Sequence, residues 1–163
     1  MFSSARRLLS VSTSGAAMLA LVLFVSPLSA QKTTITLTNA TITFPAPTAT
    51  DYINGYVDAA TGVFFNLDAT AGASRTATVL IRATSASLGG GKVLSDLKWR
   101  RSDLANWSAI TSTDAQVEQR VMVKNGANGP WSNTIFFRML LDWTKDAPAT
   151  YTANYVITLS QTP

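Results

Sequence analysis

From Thr33 onward, apolar and polar residues alternate with a period of two over most of the chain, the spacing that gives a β-strand one buried and one solvated face. Thr33–Phe44 (TTITLTNATITF) places Ile35 and Leu37 on one face and then Ile42 and Phe44, with a parity shift at Asn39-Ala40 that a bulge or kink would reconcile. Gly62–Ala69 sets Val63, Phe65 and Leu67 against Phe64, Asn66 and Asp68. Arg75–Thr84 sets Ala77, Val79, Ile81 and Ala83 against Thr76, Thr78, Leu80 and Arg82. Val117, Val121 and Val123 share a parity that Gln119 interrupts. The two longest alternations come last: Ile135, Phe137, Met139, Leu141 and Trp143, then Tyr151, Ala153, Tyr155, Ile157 and Leu159.

Breakers separate these runs. Pro45–Thr50 reads as a loop, Gly89–Gly91 as a solvent-exposed turn, and Asn125–Pro130 (NGANGP) as a turn. The short Thr144–Ala149 linker, with Pro148, predicts that the last two runs form a hairpin or a sheet-to-sheet corner. Phe137, Met139, Leu141, Tyr155, Ile157 and Leu159 then face one interior, while Phe136, Arg138, Asp142, Asn154 and Thr158 face outward. Trp143, in phase with the apolar set, is expected in the core. Lys92–Leu104 alone has a helical spacing, through Val93, Leu97, Arg100 and Leu104, and fits either a short helix or a connection between sheets. Thr and Ser on the alternate faces point to antiparallel pairing, since strands of a parallel sheet are buried on both sides. The expected fold is all-β, an antiparallel immunoglobulin-like β-sandwich of six to eight strands, with a barrel second.

Residues 1–30 follow a different pattern: Arg6-Arg7, an apolar run from Gly15 to Val25, Pro27, and then Leu28-Ser29-Ala30 before Gln31. This is the layout of a signal peptide with Ala30 as the last residue removed. The apolar run falls short of the roughly 20 residues that cross a bilayer, so no stable membrane span is expected after processing. A single domain, 31–163, follows. Its 11 Lys+Arg against 9 Asp+Glu leave a net charge of +2, compared with +4 for the whole chain. Most of the basic character thus belongs to the leader, and with no basic stripe beyond Lys98–Arg101 a nucleic-acid partner is not expected. About 130 residues bury enough surface for a core without cross-links.

The chain has neither Cys nor His. That removes thiolate and imidazole chemistry, disulfides and soft-metal sites, and no cofactor is expected. Gly89-Gly90-Gly91-Lys92 lacks the spacing and the following Ser or Thr of a phosphate loop. Most carboxylates stand beside small or hydroxyl residues at strand ends, where turns account for them. A glycosidase pair such as Asp142 and Asp146 is not marked out, so the chain is read as not an enzyme.

The remaining candidates are aromatic. Trp99 and Trp107 bracket a charged stretch, and Trp99, Arg100, Arg101, Asp103 and Trp107 form a candidate ligand or partner surface, because flat rings beside charged groups suit a sugar or a protein partner. The competing reading has both tryptophans capping the ends of the sandwich.

Thr150–Pro163 (TYTANYVITLSQTP) resembles the closing segment of WxL-type bacterial cell-surface domains: Tyr151, Thr152, Ala153, Leu159 and Pro163 match, and Ile157 stands where that family carries Trp. Spore-coat-U-like secreted sandwich proteins end in a similar strand. The resemblance implies a β-rich secreted or cell-envelope protein. The expected function is therefore a noncatalytic adhesion, wall-binding or coat role, with cell-wall polysaccharide or another envelope protein as partner. A self-assembling fibre or pilus-like subunit that uses Thr33–Phe44 as a donor strand is the alternative, and a carbohydrate-active protein the third.

Overall fold

A computed structural model describes residues 33–69, 75–89, 91–122, 131–146 and 154–162. The leader 1–30, the Asn125–Pro130 turn and the start of the last alternation lie outside them. Nine strands are present among the described residues: β1 (Thr33–Thr38), β2 (Tyr56–Asp58), β3 (Val63–Ala69), β4 (Arg75–Ala83), β5 (Leu97–Arg101), β6 (Ser108–Ala109), β7 (Ala115–Met122), β8 (Trp131–Leu140) and β9 (Tyr155–Thr162). One helix, α1 (Ala49–Asn54), precedes β2. The larger sheet runs β1-β3-β8-β5-β6, with β2 paired to β8 beyond the end of β3, and the smaller runs β7-β4-β9. All the pairings are antiparallel.

The predicted alternation holds on β3, β4 and β8. Val63, Phe65, Leu67, Ala77, Val79, Ile81, Ala83, Ile135, Phe137 and Met139 are buried, and they share one core drawn from both sheets. Each large side chain in this layer contributes roughly 1.5–3 kcal/mol by leaving water. Phe137 of the larger sheet reaches Tyr155 of the smaller, with ring centroids 5.2 Å apart. Gly62 is required where β3 begins, because a Cβ there would sit 2.9 Å from the Ile135 carbonyl oxygen.

Several expectations are corrected. The Thr33–Phe44 run is a strand only to Thr38. Asn39 then turns the chain with φ +57°, which Asn tolerates better than most residues, and the parity shift is resolved by leaving the sheet. Ile42 and Phe44 still pack on the core from outside any strand. The segment after Pro47 is not all loop. Thr48 and Asp51 form a capping box, in which the Asp51 N–H donates to Thr48 Oγ1 (3.2 Å) and the Thr48 N–H to Asp51 Oδ2 (2.7 Å), and Gly55 closes α1 with φ +76°. The backbone N–H of Thr48 holds the Asp51 carboxyl below its ordinary range.

Of the two readings of Lys92–Leu104, the connection between sheets is the one observed. A single 3-10 turn at Leu94–Asp96 leads directly into β5, and the segment crosses from the smaller sheet to the larger. On β7 the register slips between Val79 and Leu80 of its partner, so Val117 and Met122 are buried while Val121, on the predicted inner parity, faces out. The last two runs are not neighbours: β8 lies in the larger sheet and β9 pairs with β4, so their connection is the corner and not the hairpin. β8 also ends at Leu140, which leaves Trp143 beyond the sheet, 61% exposed and stacked on Tyr52 at 4.2 Å, instead of in the core.

Candidate functional site

Antiparallel register decides which candidate residues can meet. On β5, Leu97, Trp99 and Arg101 stand opposite Met139, Phe137 and Ile135, all buried, whereas Lys98 and Arg100 stand opposite Arg138 and Phe136 on the outer face. Trp99 is accordingly core, 5% exposed, and is not part of a surface. Its indole N–H has no hydrogen-bond partner among the described residues.

Arg101 shares the inward parity of Trp99 but lies at the rim, and its guanidinium joins the two sheets. It donates to the Val117 carbonyl at 3.1 Å and pairs with Glu118, both on β7, while a two-pronged bond holds Asp103 (Nε to Oδ1 2.8 Å, Nη2 to Oδ2 2.7 Å). Asn133 Nδ2 also donates to Asp103, at 3.0 Å. The Arg101 bonds draw the Asp103 carboxyl below its ordinary range. Paired planar forks of this kind fix geometry as well as charge. Arg101 and Asp103 thus form a clasp whose hydrogen-bonding groups are committed within the fold.

The outer face of the larger sheet is different. The Arg138 guanidinium lies 3.5 Å from the centre of the Tyr56 ring and 4.4 Å from that of Trp107. Arg100 lies 5.0 Å from Trp107 and 5.3 Å from Phe136. Rings and cations therefore alternate in the order Tyr56, Arg138, Trp107, Arg100, Phe136, held by the attraction of a cation for a ring face. Arg138 is anchored by Asp58 (Nε to Oδ1 2.6 Å, Nη2 to Oδ2 2.9 Å), and that bond raises its pKa further. Arg100 donates to the Leu104 carbonyl at 2.8 Å, and neither Arg100 nor Lys98 has a carboxylate partner among the described residues. Positive charge is thus in excess beside half-buried aromatic rings.

The structure brings Arg100 and Trp107 together on this face, sends Arg101 and Asp103 to the clasp and takes Trp99 inside. Tyr56, Phe136 and Arg138 complete the face; β2 and β8 supply them through pairings between residues some 80 positions apart in the chain. Only the outward parity of Phe136 and Arg138 was visible in the sequence.

Asp142 has a local task at the end of β8, and Asp146 bonds the same turn while also pairing with Lys92 at 2.8 Å. Asp142 Oδ1 accepts from the Thr144 hydroxyl (2.7 Å) and N–H (2.9 Å), and Asp146 Oδ2 accepts from the Asp142 N–H at 2.7 Å. The Thr144 bonds hold the Asp142 carboxyl down at about 2. This is turn chemistry at the end of β8. Compared with known protein families, curated proteins and solved structures, the chain has no match.

Proposed function

We propose that this is a noncatalytic, exported envelope protein with an immunoglobulin-like sandwich fold, and that it binds anionic cell-wall polysaccharide on the outer face of its larger sheet. The observation that carries this reading is the alternating file of rings and cations from Tyr56 to Phe136, in which Arg100, like Lys98 beside it on the outer face, has no carboxylate partner among the described residues. Sugar rings stack on flat aromatic surfaces, and uronate or phosphate groups pair with guanidinium and ammonium, so one extended face serves both. The leader-like residues 1–30 support delivery of this face outside the cytoplasm.

The fibre alternative has less support, since β1 is already paired with β3 along its whole length and would have to leave its own sheet to act as a donor. Binding of the purified mature chain to a uronic-acid polymer and to a neutral glucan, at low and high salt, tests the proposal. The expected result is salt-sensitive binding to the acidic polymer, weakened about tenfold or more (about 1.4 kcal/mol) by Lys98→Ala combined with Arg100→Ala. Equal affinity for both polymers, or an unaffected double variant, would overturn it.

A further inference from the structure

Among the described residues Lys92 is the one charged residue buried as a whole, backbone included, and its side chain is 3% exposed. The turn before it accounts for this. Gly89 and Gly91 take φ +78° and +81°, a bridge closes Gly89 onto Lys92, and the reversal leaves the glycines outside and the lysine stem inside. Its Nζ lies 2.8 Å from Asp146 Oδ2, 2.6 Å from the Leu140 carbonyl oxygen and 3.9 Å from Asp96 Oδ2, and the Asp146 side chain is only 4% exposed. A cavity of about 380 Å³ adjoins the cluster, lined by Gly55, Val93 and Lys145 among others.

We propose that Lys92 and Asp146 condense into an intramolecular amide. Two charges held out of water are costly unless their geometry is good, and converting them to a neutral amide removes that cost. Nitrogen and carboxyl are already within reach of a near-attack arrangement, so the reaction needs no encounter between partners. The Asp142 N–H, 2.7 Å from Asp146 Oδ2, stands where it stabilises negative charge developing on that oxygen.

The atoms balance without a further reactant. The ammonium of Lys92 passes one proton to the Asp146 carboxylate, and the resulting amine attacks Cγ. A second proton leaves the nitrogen by way of the Asp96 carboxylate and joins the departing Oδ1 hydroxyl. The C–Oδ1 bond breaks, the C–Nζ bond forms, and one water leaves through the cavity. The one N–H that remains keeps the Leu140 carbonyl as acceptor, and Oδ2 keeps the Asp142 N–H. The exposed pair Lys145 and Asp142, 3.1 Å apart, is the internal contrast: hydration stabilises its charges, and no amide is expected there.

The test is the intact mass of the folded, purified chain measured after denaturation, followed by peptide mapping. The expected mass is one water below that of the sequence from the mapped N-terminus. A branched peptide should join Lys92 to Asp146, and tryptic cleavage after Lys92 should be lost. Lys92→Arg should restore the full mass. Asp146→Asn should give the same branched peptide with loss of ammonia instead of water, and Asp96→Asn should slow its appearance after refolding. A wild-type chain at full mass, or a branch mapped to any other pair, would overturn the proposal.

Discussion

Two outer faces built on the same alternation carry opposite surfaces. On the larger sheet the outward positions of β2, β5 and β8 hold Tyr56, Asp58, Lys98, Arg100, Phe136 and Arg138, among which Arg138 meets Tyr56 and Asp58 and Arg100 meets Phe136 across strands. On the smaller sheet the outward rows of β4 and β9 pair Thr76 with Thr162, Thr78 with Ser160 and Leu80 with Thr158, short side chains of which the β9 members are open to solvent. The comparison separates two properties that a period of two merges. Parity fixes which way a side chain points, whereas the reach and charge of its cross-strand neighbours fix whether that position is solvated or forms a second organised layer.

The largest expected effect is in the inner layer that both faces share. Phe137→Ala should cost about 3–5 kcal/mol through lost burial and a residual cavity, read from the denaturant midpoint, and it calibrates the other two variants. Arg138→Ala should follow at about 1–2 kcal/mol, because the change removes a two-pronged bond to Asp58 and contacts with two rings. Thr158→Ala, on the hydroxyl-rich face, should lie within about 0.5 kcal/mol. If Arg138→Ala and Thr158→Ala cost the same, the contrast between the two faces fails. If Arg138→Ala approaches Phe137→Ala, the outer layer is part of the core.

What was legible in the sequence follows from how local each determinant is. The inner faces of β3, β4 and β8 are written in their own alternation and needed no partner to be read. β5 stood between two readings because its five residues follow a 3-10 turn, so Val93, Leu97 and Arg100 fell by chance on a helical spacing. The helix α1 carried a readable signal in Thr48 and Asp51, three residues apart after Pro47, which the surrounding Pro and Thr obscured. For the candidate site, Arg100 and Trp107 were found from their proximity along the chain. Trp99 was misplaced because a strand sends neighbouring residues to opposite faces, and Arg138 and Tyr56 were out of reach because they join the face only through β8 and β2.

Gln161 near the end of β9 donates to the Thr33 carbonyl at the start of β1 (3.1 Å), and the Tyr155 hydroxyl reaches Ala40, so the first and last strands meet along one side although they belong to different sheets. A chain anchored before Thr33 and carrying cargo after Thr162 would enter and leave this body at one corner. Tension along such a chain would peel β1 from β3 or β9 from β4 one rung at a time and would not load the whole ladder at once. The body would hang beside the line of force, not in series with it, and its mechanical resistance would rest on Gln161 and the first rungs beside it.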